Sequence, residues 1–119
     1  MTSSPAASPE HRNEVLLVGR VAAEPLPTEL PSGDLVVTVR LVVERPRPPA
    51  GRGARARVDT LACAAWTAGL RRAVARWSEG DVVEVSGALR RRFWRASGVP
   101  QSRYEIELTA ARRLVRGTE

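Results

Sequence analysis

A run of arginines and aromatic rings between Arg90 and Arg95 carries the clearest chemical signal in the sequence. Because alternate residues of a β-strand share a face, Arg90, Arg92 and Trp94 are predicted to lie side by side. Guanidinium groups pair with phosphates and an indole ring stacks on a base, so this face fits an unpaired nucleic-acid strand. The alternative is a solvated, charged hairpin whose aromatic ring packs on the partner strand.

The other aromatic residues divide between surface and core. Trp66 ends a predicted strand beside the small residues Ala62 and Ala64, which favours a second stacking platform over packing at the strand-to-helix corner. Trp77 belongs to an apolar stripe at helical spacing and is predicted to lie in the core. Tyr104 lies across the predicted hairpin, and the sequence leaves open which face it joins.

A second basic feature is the segment 45–57, which is rich in Pro, Gly, Ala and Arg and contains no acidic residue. It has no hydrophobic period, so we expect a flexible loop that closes over a bound strand. The alternative is a disordered loop whose arginines only maintain solubility. Its arginines are Arg45, Arg47, Arg52, Arg55 and Arg57.

The composition points to an anionic partner and excludes most catalytic chemistry. The 119 residues carry 19 basic side chains, all arginine, against 13 acidic ones, for a net charge of +6. Without lysine there can be no Schiff base and no phosphate-loop lysine. One cysteine, Cys63, and one histidine, His11, cannot build a zinc site or a disulfide framework. Asp34, Asp59 and Asp81 begin strands, where turn chemistry explains them, so we expect no enzyme, cofactor or metal.

The elements that must position these residues are strands and one helix. Thr67 is a suitable N-cap for a helix after the third strand, and the glycine- and proline-containing segments 24–33 and 96–102 are predicted turns. A small closed barrel of the OB type needs five strands and a helix that plugs one end, whereas a sandwich needs about seven strands. We therefore predict an all-β fold, a five-stranded OB-fold barrel with one helix between strands 3 and 4. The predicted strands cover 13–21, 34–44, 58–66, 82–95 and 103–114.

The chain length fits one domain. Residues 1–12 are predicted to form a disordered leader, 13–116 the OB-fold domain with the flexible basic loop 45–57, and 117–119 a short tail. The leader lacks the apolar core of a signal peptide, and no segment approaches the length of a membrane span. We expect a cytoplasmic, nucleoid-associated protein without a membrane partner.

Several short motifs resemble the bacterial single-stranded DNA-binding protein (SSB) family. Their order and spacing match over residues 13–114, which is nearly all of the predicted folded part. The matching segments are 13–21 (NEVLLVGRV) with Glu24-Pro25, 31–33 (PSG), Trp66, 79–90 (EGDVVEVSGALR) and the hairpin 94–104.

The resemblance implies an OB-fold that binds single-stranded DNA without sequence preference, usually as a homotetramer, in replication, recombination or repair. Trp66 and Trp94 match positions on which family members stack bases, and Arg20, Arg90 and the loop arginines lie along the expected DNA path. Two further stacking positions of the family are occupied here by Thr60 and Arg47. The acidic tip that recruits repair enzymes is absent from the end of this sequence, so we expect no tail-mediated recruitment.

Two other functions stay open from the residues alone. The barrel and basic loop would serve an RNA-binding OB module equally well, because nothing in the sequence selects for a 2′-hydroxyl. A protein-interaction or assembly module with weak nucleic-acid binding would explain the missing aromatics. The candidate nucleic-acid-binding residues are Arg20, Arg40, Arg45, Arg47, Arg52, Arg55, Arg57, Trp66, Arg90, Arg92, Trp94, Arg95, Arg103 and Tyr104.

Overall fold

A computed structural model describes residues 8–46 and 57–117 of the chain. Within them, six strands and one helix follow each other along the sequence. Their bounds are β1 Val15–Val21, β2 Leu26–Glu29, β3 Leu35–Glu44, β4 Val58–Ala65, α1 Ala68–Ala75, β5 Val82–Ala96 and β6 Val99–Val115. No helix in this described part is long and apolar enough to cross a membrane.

Five of the strands close into a barrel. The sheet order is β1-β5-β6-β4-β3-β2, and a further pairing of β1 with β3, through Val21 and Leu41, closes five strands into a ring that leaves β2 outside. The parallel contact between β4 and β6, at Cys63 and Ile106, completes the ring. Inward-facing residues of all five strands form one buried core that includes Cys63 and Val85. The predicted five-stranded barrel with one helix is therefore confirmed.

The predicted position of the helix between strands 3 and 4 is wrong, because the chain contains an additional short strand. β2 lies inside the segment 24–33 that we predicted as turns, and it pairs antiparallel with β3, for example Pro27 with Val37. Proline is unfavourable in a central strand but tolerated at a sheet edge, which is where β2 lies. Four residues are also too few to show an alternating pattern. The helix consequently lies between β4 and β5.

Helix α1 begins directly after Thr67, as predicted, and ends at Ala75. The Thr67 side chain accepts a hydrogen bond from the Leu70 backbone N–H, as expected of an N-cap. The chain turns back after the helix at Gly80, whose φ of +94° favours glycine. Val74 and Trp77, which is only 4% exposed, pack into the barrel core. The core position predicted for Trp77 is confirmed.

Strands β5 and β6 continue beyond the barrel as a long hairpin. The two-residue turn at Ser97 and Gly98 has positive φ at both positions, 52° and 79°, which matches the natural twist of a hairpin. The predicted tip 96–102 is too long, since pairing extends to Ala96 and Val99. Proline at the start of an exposed ribbon does not interrupt a central ladder, so Pro100 is accommodated within β6.

A bulge in β6 marks the passage from barrel to hairpin. Ser86 pairs with Ala110 but Gly87 pairs with Leu108, so Thr109 is an extra residue on β6. The backbones approach closely at this point, because a Cβ on Gly87 would overlap the Glu107 carbonyl oxygen. On the barrel side of the bulge Ala111 faces inward, and on the hairpin side Leu108 faces inward. The alternation of β6 is therefore shifted by one residue at Thr109.

Candidate functional site

The outward-facing residues of β4, β5 and β6 form a continuous surface that we call the aromatic–arginine face. The register aligns Arg92 with Arg103 and Trp94 with Gln101 across the hairpin. β4 contributes its outer residues to the same surface, since Ala64 aligns with Glu107 of β6. The face is defined by Trp66, Arg90, Arg92, Trp94, Arg103, Glu105 and Glu107.

Trp66 directly follows β4 and is partly buried. The outer residues before it, Ala62 and Ala64, are small. The guanidinium carbon of Arg92 lies 4.5 Å from the centre of the Trp66 ring, within the range of a cation–π contact. The Trp66 carbonyl oxygen accepts a hydrogen bond from Arg71 Nη1 of the helix, which anchors this end of the strand.

Trp94 lies further out on the hairpin and has a similar partner. Its side chain is on the same face as Arg92, as the strand period predicted, and the residue is 43% exposed. The guanidinium carbon of Arg103 lies 5.5 Å from the Trp94 ring centre. Each of the two tryptophans on this face therefore has one arginine beside its ring.

A buried carboxylate connects the two arginine–tryptophan pairs. Glu105 is only 3% exposed. Its Oε2 accepts a hydrogen bond of 3.3 Å from Nη1 of Arg92, and its Oε1 lies 3.7 Å from Nε of Arg103. The carboxylate thus holds both guanidinium groups in place between the rings, as charge-assisted contacts do when one partner is desolvated.

Sequence reasoning missed Glu105. The sequence alone places Glu105 two residues after Arg103 on the same strand. Which β5 residue lies opposite Glu105, however, depends on the register of β5 against β6. Knowledge that Arg90 lies across from Glu105 would have placed it on the face. The register in turn depends on the turn at Ser97, which we predicted as part of a longer tip.

The face keeps an excess of positive charge. Arg90 Nε lies 2.9 Å from Glu107 Oε1, and both side chains are about half exposed, at 55% and 42%. Arg40 of β3 aligns with Ala62, is exposed, and has no ion pair among residues 8–46 and 57–117. The face itself has three arginines against two carboxylates, and the neighbouring Arg40 raises the excess to two positive charges.

Some predicted site residues have other partners. Arg45 binds the Asp59 carboxylate through Nε and Nη2, with a shortest distance of 2.7 Å. This hydrogen bond raises the pKa of Arg45 and lowers the pKa of Asp59. Arg57 is exposed, and its carbonyl oxygen accepts a hydrogen bond from the Arg45 N–H. Arg47, Arg52 and Arg55 lie outside the described residues.

Three more predicted residues lie away from the centre of the face. Arg95 is on the opposite side of the hairpin and donates from Nη1 to the Gly98 carbonyl oxygen at 3.0 Å. Tyr104 aligns with Arg91 and also lies on that opposite side. Arg20 is exposed on the outside of β1, where it aligns with Val42. These three are not grouped with the tryptophans.

The aromatic–arginine face is an open surface. A cavity of about 670 Å³ exists at the other end of β5, where Arg76, Trp77 and Arg116 line it. It contains neither Trp66 nor Trp94, so we base the site on these two rings and their arginines. An open strip of rings and cations accommodates an extended chain better than a compact ligand.

Comparison with known proteins identifies a related family and a similar fold. A family model described as the single-strand binding protein family matches residues 12–114. Among solved structures, a Plasmodium falciparum SSB complex with ssDNA is similar, with a TM-score of 0.72 and 22% sequence identity. The match covers 92% of this chain and 98% of the other. At that identity the structural similarity shows the fold alone. No curated protein sequence matches the chain.

Proposed function

Because this chain belongs to the single-strand binding protein family, we propose that it binds single-stranded DNA through the aromatic–arginine face. The observation that carries the proposal is the placement of Trp66 and Trp94 on one face, each beside an arginine. Stacked bases supply affinity without sequence preference, because every base presents a π-face. Arginine adds a charge that pairs with phosphate and a plane that stacks on a ring.

We infer that binding exchanges partners within the preformed array. In the unbound protein the guanidinium groups of Arg92 and Arg103 lie against the tryptophan rings and near Glu105. An incoming base takes the place of the guanidinium on the ring, and the displaced guanidinium pairs with the adjacent phosphate. Glu105 pairs with the same two guanidinium groups and therefore competes with the phosphates for them.

We also propose the wider setting that the family suggests. Single strands are exposed during DNA replication, recombination and repair, and a sequence-tolerant binder would act on them there. A homo-oligomer, as the resemblance implies, would join several such faces into a longer path. Light scattering of the purified chain gives the oligomeric state, and competition between equal-length DNA and RNA strands tests the preference for DNA.

Titration with oligo-thymidine tests the proposal directly. We expect quenching of tryptophan fluorescence and a slope of log affinity against log salt of roughly −3.5 to −5.6 for about five to eight neutralised phosphates. Trp66→Ala and Trp94→Ala should each lose roughly 1–3 kcal/mol of binding free energy. Leu26→Ala, which truncates a 62% exposed residue of β2, serves as the control. Unaltered fluorescence, or a slope near zero, would contradict the proposal.

A further inference from the structure

The opposite side of the hairpin carries a second group of rings and arginine, which we call the underside. It is defined by Leu89, Arg91 and Phe93 of β5 and by Tyr104 of β6. We propose that the underside is a second stacking surface for the same unpaired nucleic-acid strand, which passes around the hairpin. This inference rests on the proposed function and extends it to residues that sequence analysis did not assign to a site or could not place.

The geometry of the underside repeats that of the aromatic–arginine face. Arg91 aligns with Tyr104, and Phe93 aligns with Ser102. The guanidinium carbon of Arg91 lies 4.9 Å from the Phe93 ring centre and 5.6 Å from the Tyr104 ring centre. Its Nη2 donates a hydrogen bond of 3.2 Å to Ser102 Oγ, which fixes the guanidinium between the two rings. One arginine therefore bridges two aromatic rings.

These rings have no role in the core. Phe93 is 70% exposed and Tyr104 is 60% exposed, more than the 43% of Trp94. The underside continues the inward-facing line of the barrel past its open end, as the pairing of Leu89 with the core residue Ile106 shows. Rings that lie this far beyond the last core residue stabilise the barrel little. Exposed aromatic groups of this kind indicate a binding surface.

The charge of the underside indicates which ligand it takes. The hairpin residues that face this side contain two arginines and no carboxylate; they are Leu89, Arg91, Phe93, Arg95, Pro100, Ser102 and Tyr104. A purely apolar partner would leave Arg91 desolvated without a counter-charge, which is costly. Unpaired nucleotides satisfy both features, since bases stack on the rings and a phosphate pairs with Arg91.

The two faces are close enough for one strand to reach both. The hairpin is a two-stranded ribbon, and neighbouring strands lie only about 5 Å apart. Trp94 and Phe93 are consecutive residues that face opposite sides, so a strand leaving the Trp94 ring meets the Phe93 ring after rounding one edge. The hairpin would thus be held inside a turn of the bound strand.

A series of oligo-thymidines of increasing length tests this path. The variant Phe93→Leu/Tyr104→Leu removes both rings but keeps apolar bulk, and Leu26→Ala controls for truncation at a remote exposed site. Affinity is followed by the fluorescence of the retained tryptophans, and thermal melting checks that the hairpin variant is folded. We expect unchanged affinity for the shortest binding oligonucleotides and about 5- to 150-fold weaker affinity per lost stacked base for longer ones.

Any other result of this length series contradicts either the second surface or the proposed function. Equal affinity of the variant and the original protein at every length would overturn the second surface while leaving the proposed function intact. An equal loss at every length would also overturn it, because the two surfaces would then not be separable. Absence of binding by the original protein at any length would refute the proposed function itself. As an independent measure, Arg91→Gln should reduce the salt slope by about 0.7 for long strands only.

Discussion

Glu105→Gln tests whether the buried carboxylate restrains the arginines of the aromatic–arginine face. Glutamine keeps the shape of the side chain but removes its charge. Both ion pairs, to Arg92 at 3.3 Å and to Arg103 at 3.7 Å, are lost together. The guanidinium groups stay on the face because their positions on β5 and β6 are unchanged. Their charges are then available in full to phosphates.

The size of the effect follows from distance and exposure. Two unit charges about 3.7 Å apart attract by about 1 kcal/mol in a water-like dielectric. The Arg92 and Arg103 side chains are 33% and 54% exposed, so solvent screening keeps each pair at or below that value. We therefore expect up to about fivefold tighter DNA binding at low salt for each arginine released. The salt slope should steepen by about 0.7, as the face gains one unit of positive charge.

The assay is the oligo-thymidine titration repeated at several salt concentrations. Glu29→Gln, an equal change of charge at an exposed position of the edge strand β2, is the matched control and should leave the slope unchanged. The intrinsic tryptophan emission of Glu105→Gln should also shift before DNA is added, because Arg92 and Arg103 lie against the rings. Weaker binding at low salt with an unaltered slope would refute the reasoning, since Glu105 would then support binding rather than compete with it.

Three further predictions concern the barrel. Trp77→Ala should lower the free energy of unfolding by about 3–5 kcal/mol, because Trp77 is a buried core residue, and thermal melting measures this loss. The fraction of the variant that remains folded should bind DNA as the original protein does, which the oligo-thymidine titration checks. Asp81 accepts hydrogen bonds from the Gly117 and Ser78 N–H groups and pairs with Arg113, and these contacts lower its pKa, the Gly117 bond most. Because the pKa of Asp81 is lower in the folded protein, its ionised carboxylate stabilises the fold at pH values above the unfolded-state pKa of about 3.9. This stabilisation is lost as the pH falls through the folded-state pKa. Asp81→Asn should therefore destabilise the protein at neutral pH, and urea unfolding should show the difference vanish in acid; a constant difference at all pH values would argue against this. Burial, and secondarily the charge of Glu105, raises the pKa of Cys63 to about 12, so a thiol-reactive dye should label the folded protein very slowly at pH 8 and the unfolded protein rapidly.

The barrel could be predicted because its strands are long and alternate strongly. β1, β3 and β4 each place apolar residues on every second position, and the core uses the same residues. β2 could not be found this way, since four residues with a proline look like a turn until β3 lies beside them. The hairpin tip was missed for a related reason. Pro100 suggested a break, whereas an exposed ribbon tolerates it.

The candidate site was predictable within a strand and not between strands. Placing Arg92 and Trp94 together required only the two-residue period of β5. Assigning Tyr104 to the underside required its alignment with Arg91, which follows from the turn at Ser97 and Gly98. The pairing of Arg45 with Asp59 likewise depends on the alignment of β3 with β4. Partners across strands, and the charges they neutralise, are set by register.

The bulge at Thr109 has a consequence for how this hairpin can change during evolution. A residue added to or removed from β6 between the bulge and the tip would turn every β6 side chain between that position and the tip to the other surface. Arg103 would exchange sides with Tyr104, so Trp94 would lose its arginine and Arg91 would lose one of its two rings. Changes of hairpin length should therefore be accepted in matched pairs on β5 and β6, while the barrel below Thr109 is indifferent to them. The bulge thus separates the hairpin, whose length can change, from the barrel, whose core residues must keep their positions.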